Sequence, residues 1–161
     1  MDERVNYIMH TILQDVVQKG TARKAKKLQR DDLAGKTGTT NDQKDAWFSG
    51  YVDSMVATAW VGFDQPATLG RNEFGSTAAL PIWIDFMEIA LKDVPQTQRQ
   101  QPDKMVTIKI DEATGELARP GDASAVEEIF RAERTPKQMA RPKSNGASTS
   151  NNQETAPEQV F

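Results

Sequence analysis

Residues Lys36-Thr37-Gly38-Thr39-Thr40 put a cation, hydroxyls and a residue without a side chain within one short window. Ordinary residue frequencies produce a Lys-Thr-Gly triplet by chance in roughly 3% of chains this long, and the whole pentapeptide in about 0.01%. The triplet is one of three signatures that travel together in enzymes working through an acyl-serine intermediate; the others are Ser-x-x-Lys, which carries the nucleophile, and Ser-x-Asn. Neither lies upstream of Lys36. No serine in the chain is followed three residues later by lysine, and the single Ser-x-Asn match, Ser150-Asn151-Asn152, sits in a Ser/Asn-rich tail. The expectation is a chain that begins inside a longer protein, with Met1 an internal methionine and the nucleophile elsewhere.

The elements around the motif must position it. Val5, Ile8, Met9, Ile12, Leu13, Val16 and Val17 recur at helical spacing, with His10, Thr11, Gln14, Asp15 and Gln18 between them. This predicts an amphipathic helix over 3–19, with acids at its N-terminus and Gly20 at its C-terminal end. Lys19 to Arg30 holds six basic residues and no acid, and is read as a solvated loop. Leu33 to Thr40 reads as a strand. Ala46–Tyr51 and Met55–Phe63 flank a tight Val52-Asp53-Ser54 connection, which predicts an antiparallel hairpin. The second arm is so evenly apolar that it is expected to be covered on both faces. Residues 64–76 read as a loop; Ser76 to Pro81 opens a helix running to about Lys92 through Leu80, Trp83, Ile84, Met87 and Leu91.

Beyond it, Pro95–Lys104 is polar and Gln-rich, a linker by composition. Met105 to Leu117 alternates and then turns at Thr114-Gly115, a small strand-turn-strand appendage, and Glu127–Arg134 could add one helical turn or two. From Pro136 onward no period survives, and the tail is expected to be disordered. The fold class expected is α+β, an antiparallel sheet flanked by helices, with the small β appendage and the tail. Its divisions fall at 1–94, 95–135 and 136–161.

Composition narrows the function classes. A net charge of −3 argues against a general polyanion binder, so no nucleic-acid partner is expected. No cysteine and a single histidine leave no thiolate chemistry and no metal site. No segment has the length and apolarity of a membrane span, and Met1-Asp2-Glu3-Arg4 does not open a signal peptide.

With these residues in view, the chain resembles the C-terminal part of the transpeptidase domain of class A, bifunctional penicillin-binding proteins. The resemblance rests on Leu33-Ala34-Gly35-Lys36-Thr37-Gly38-Thr39-Thr40 and Lys44-Asp45-Ala46-Trp47-Phe48-Ser49-Gly50-Tyr51. It continues through Thr58-Ala59-Trp60-Val61-Gly62-Phe63-Asp64 and Ala78-Ala79-Leu80-Pro81-Ile82-Trp83. Thr114-Gly115-Glu116-Leu117-Ala118 and Glu127-Glu128-Ile129-Phe130 resemble the extension after that domain. The resemblance implies a peptidoglycan DD-transpeptidase that cross-links stem peptides at D-alanyl-D-alanine, is acylated by β-lactams and uses no cofactor. It further implies the periplasmic side of the inner membrane, with the anchor, the glycosyltransferase and the serine on preceding polypeptide.

In this reading residues 36–40 bind substrate. Lys36 supplies a fixed cation, the Thr37 and Thr39 hydroxyls hold a carboxylate, Gly38 allows close approach, and the Thr39 N–H is an oxyanion donor. Lys36 and Thr39 are the residues assigned to catalysis, and this chain alone is expected to be inactive. Two other readings stand beside it: a fragment of a DD-carboxypeptidase or β-lactamase-type hydrolase, and a non-enzymatic module that binds an anionic partner through the basic loop. His10 is expected on the surface, Trp47, Trp60 and Trp83 in the core, and Asp42, Asp45, Asp53 and Asp64 in turns.

Overall fold

The computed structural model describes residues 2–141. The element order is α1 (Glu3–Gln18), a 3₁₀ turn (Arg23–Leu28), β1 (Ala34–Thr39), β2 (Asp45–Val52), β3 (Met55–Gly62), α2 (Leu80–Ala90), β4 (Met105–Asp111) and β5 (Ala125–Arg131). The class is α+β with antiparallel pairing, as the change of period along the chain requires. Chain contacts divide it into one unit of residues 1–106 with 129–132, and a second of residues 107–128 with the chain from 133 on.

In the first unit β1, β2 and β3 form an antiparallel sheet in that order. Val52 pairs with Met55, so the hairpin closes through the two residues Asp53-Ser54. Period-two alternation then decides the faces. Ala46, Phe48 and Val52 point inward from β2, with Ala59 from β3. α2 covers them by its Leu80, Trp83, Ile84 and Met87 side. The Trp83 indole meets Phe48 edge-on at 4.9 Å and donates its N–H to the Ala57 carbonyl at 3.0 Å. Burying Trp83 thus leaves no orphaned donor.

α1 is capped by the Asp2 carboxylate, which accepts from the Arg4 and Val5 amides. Its packed side differs from the one its apolar spacing predicts. Val17 and His10 are buried, whereas Val5, Met9 and Ile12 are exposed. At 3.6 residues per turn the packed side lies about a third of a turn from the apolar stripe. The sheet meets the helix flank beside β1: Val16 and Val17, at the border of the stripe, pack on the core, while Val5, Met9 and Ile12 stay in the open. β3 also departs from expectation: Val56, Thr58 and Trp60 line an exposed face.

The segment read as a linker is tied down. Arg30 and Asp32 form a buried ion pair at 2.6 Å. Arg30 donates to the Val94 and Pro95 carbonyls, and the Thr97 amide donates to Asp32. Arg99 reaches Asp53 at 2.6 Å and Asn6 at 3.0 Å. The basic stretch is likewise more ordered than a solvated loop. Ala22 and Ala25 are buried beneath its 3₁₀ turn, and Lys27 pairs with Glu88 on α2.

β4 bridges back to the residues just after it through Ile110 and Leu117 across the Thr114-Gly115 turn, as expected, and pairs in addition with β5. Residues 125–131 are therefore strand; only Ala132–Arg134 turn helically, against the expected helix at 127–134. Alternating Val126 and Ile129-Phe130 among acids fits either period in so short a run, and pairing with β4 decides it. In the second unit Leu117 bridges Met139, and Ala140 is buried. The tail is thus ordered over 136–141; the remainder, 142–161, lies outside the described residues.

Candidate active site

β1 enters the core at Leu33, Ala34 and Gly35, all buried, and leaves it at Lys36, which is exposed. Among the described residues no strand lies beyond β1 in the sheet, so the Lys36–Thr39 end is an edge. Lys36 faces Ser49, Thr37 faces Phe48, Gly38 faces Trp47 and Thr39 faces Ala46. The Thr40 amide donates to the Asp45 carbonyl at 3.0 Å. In an antiparallel ladder alternate residues turn both backbone groups to the partner. Lys36 and Gly38 therefore address β2, while Thr37 and Thr39 present N–H and C=O at the open edge. The Lys36 ammonium, bonded to the Thr37 carbonyl at 3.1 Å, agrees with that orientation.

The hydroxyls are held from behind. Thr37 Oγ1 lies 3.0 Å from Thr21 Oγ1, just past the end of α1, and 3.5 Å from Lys36 Nζ. Thr39 Oγ1 accepts the Gly75 amide at 3.0 Å. With its acceptor side engaged, the Thr39 hydroxyl can give its proton to an anion at the edge. Gly75 opens a π-helical turn over 75–79 that leads into α2. A Cβ at Gly75 would sit 2.3 Å from the Trp47 carbonyl oxygen and 2.6 Å from that of Gly38, so only glycine lets this turn reach the motif. Thr40 takes a different place: its hydroxyl accepts the Asp45 amide at 2.8 Å and donates to the Asp45 carboxylate at 3.3 Å, inside the β1–β2 turn.

Thr21 and Gly75 are the contributors that sequence reasoning missed. Neither lies in the signature, and only the tertiary approach of α1 and the π turn brings them to it. Trp47 and Trp60, expected in the core, are 42% and 45% exposed, and only Trp83 is buried. The two exposed indoles sit 5.9 Å apart on the sheet face that carries Lys36, and Trp60 donates to Asp45 at 2.9 Å.

His10 is a further correction. It is 5% exposed, and its Nδ1 lies 3.1 Å from the Tyr51 hydroxyl. Burial, reinforced by the nearby Arg99 guanidinium, holds its pKa below the usual value, and burial raises that of Tyr51. Arg99 in turn holds the Asp53 carboxyl low. This cluster surrounds the far end of β2 and reaches none of residues 36–40. A neighbouring recess of about 490 Å³, lined by Glu3, Asn6, Tyr7, Arg99, Gln100 and Pro102, is also separate from the motif.

The arrangement is an open strand edge with outward N–H groups, a fixed ammonium and a hydroxyl ready to donate. It is a surface suited to an extended peptide ending in a carboxylate. Sequence comparison agrees. The chain is 55% identical over 136 residues to penicillin-binding protein 1A of Pseudomonas aeruginosa, and 51% identical over 106 residues to that of Neisseria lactamica. The crystal structure of penicillin-binding protein 1A from Haemophilus influenzae superposes with a TM-score of 0.78 at 33% identity, over 86% of this chain and 22% of that one. In sequence and fold the chain matches a part of penicillin-binding protein 1A. The two matches cover 84% and 66% of this chain but 16% and 13% of those relatives, so the chain spans about a sixth of their length or less. No protein-family model matches it. Among the described residues no helix is long and apolar enough to cross a membrane.

Proposed function

We propose that this chain forms one wall of a serine acyl-transfer site that cross-links peptidoglycan stem peptides and is acylated by β-lactams. The observation that carries the reading is the open edge at Thr37 and Thr39 with Lys36 beside it. A stem peptide adds along β1 as an extra strand. Its terminal carboxylate meets the Lys36 ammonium and the Thr37 and Thr39 hydroxyls. The outward Thr39 N–H serves as one oxyanion donor and the N–H of the serine itself as the other. The serine ester then passes to an amine of a second stem peptide or to water. The nucleophile and the Ser-x-Asn serine are supplied by polypeptide outside this sequence, which would also carry the anchor to the periplasmic side of the inner membrane. Alone, the chain forms no acyl-enzyme. Thr40 contributes by shaping the turn that sets the Thr39 orientation.

Fluorescent penicillin tests this. The 161-residue chain should take no covalent label. A chimera carrying its matching 136 residues in the Pseudomonas aeruginosa relative should be labelled, and Lys36→Ala in that chimera should cut the acylation rate by about 10²-fold or more. Stable labelling of the isolated chain, or a Lys36→Ala chimera that reacts normally, overturns the assignment.

A further inference from the structure

We infer that Trp47 floors a side-chain pocket at the β1 edge, which takes the small apolar side chain of the ligand residue lying opposite Gly38. The inference rests on the reading above, in that an extended peptide must add along β1. Side chains alternate along such a peptide, and those of directly paired residues share a face. The ligand residue opposite Gly38 therefore projects onto the face that carries Lys36, Trp47 and Trp60. An added strand lies about 4.8 Å from β1, within van der Waals reach of whatever occupies the place of a side chain at position 38.

That place is empty, and its back wall is Trp47. A Cβ built on Gly38 would lie 3.2 Å from Trp47 Cβ, 3.8 Å from Cγ and 3.9 Å from Cδ1. The gap is thus bounded by the pyrrole side of the indole. Trp60, its ring centroid 5.9 Å from that of Trp47 and tilted by 40°, backs Trp47 from the β3 side. Its own position is set by the 2.9 Å bond to Asp45 and by Gly62, where a Cβ would fall 2.4 Å from Trp60 Cζ2. The floor is aromatic, and Lys36 lies on the same face of the sheet. A methyl or similarly compact apolar group fits such a pocket; a bulky one is turned away by the Trp47 indole.

The test uses the full 161-residue chain labelled with ¹⁵N, the indole N–H signals being identified through Trp47→Phe and Trp60→Phe. The probe is an N-acetylated tripeptide ending in D-alanyl-D-alanine, titrated beside analogues with each D-alanine in turn replaced by glycine. The expected result is that the Thr37 and Thr39 amides and the Trp47 indole move while the Trp83 indole stays. One of the glycine analogues should still move the amides but lose the indole response, and Gly38→Ala should abolish it. If the two amides move while the Trp47 indole stays fixed, or if Gly38→Ala leaves its response intact, the pocket is overturned and the edge-binding reading stands. If neither amide moves, the edge-binding reading falls and takes the pocket with it.

Discussion

Thr39 presents two separable groups on one residue. Its hydroxyl is held by Gly75, and its N–H points away from β2 at the open edge. Proline tolerates an edge position whose N–H is not needed by the ladder. In the chimera, Thr39→Pro should therefore keep the fold but cut β-lactam acylation by about 10²–10³-fold, the typical cost of one lost oxyanion donor. Thr39→Ala keeps the N–H and should lose less; equal losses would place the effect in the hydroxyl alone. His10 makes a residue-scale prediction of a different kind. Because its folded pKa lies below its unfolded value, the unfolded chain binds the proton first on acidification. Stability contributed by neutral His10 is present above the unfolded pKa of about 6.5 and is lost as pH falls from there through the folded value. The urea midpoint should drop as pH falls below about 6.5, and His10→Gln should flatten that drop. Asp53, held low by Arg99, adds a loss of the same sign only in stronger acid, below the ordinary carboxylate range.

At the scale of elements, the motif is placed by what lies behind it. The π turn leading into α2 rests against β1 and β2 only because residue 75 has no side chain. Gly75→Ala should destabilise by about 1–3 kcal/mol as an overpacked site, and should shift the Thr39 amide signal as the turn is pushed back; an unchanged Thr39 signal would mean that the turn does not set it. The 94–99 segment is held by Arg30 and Asp32, whose side chains are 9% and 5% exposed. Removing one partner leaves the other buried and unpaired, so Asp32→Ala should cost about 3–5 kcal/mol in chemical denaturation. Both elements were only half legible beforehand. Hydrophobic spacing located α2 and the polar composition marked 95–104, but a π start and a bonded strap depend on Gly75 and Arg30 meeting partners 36 to 65 residues away.

Across the whole molecule, apolar surface remains open in several places: Val5, Met9 and Ile12 on α1, Ile82, Phe86 and Ile89 on α2, and Val56 with Phe63 at β3. Contiguous exposed apolar surface promotes association. Met9→Lys combined with Ile12→Glu should therefore reduce self-association in sedimentation while changing stability by less than about 0.5 kcal/mol, the usual range for surface changes. A dimer that persists in this variant would move the contact to another face. The same stripe explains the misplaced His10. The seven apolar positions on α1 are periodic enough to define a helix, yet which side meets β1 is settled by neighbours, and the flank carrying His10 and Val17 won.

The sequence by itself determined the local structure and the chemistry: the helical and strand periods, the Asp53-Ser54 turn, and the Lys36–Thr40 signature. Each depends on residues close in the chain, where propensity and spacing act directly. Only the tertiary structure decided that Thr37 and Thr39 face an open edge, that Thr21 and Gly75 hold their hydroxyls, and that Trp47 lies bare beside Gly38. Those facts follow from strand order and from packing between distant segments, and no local period encodes them.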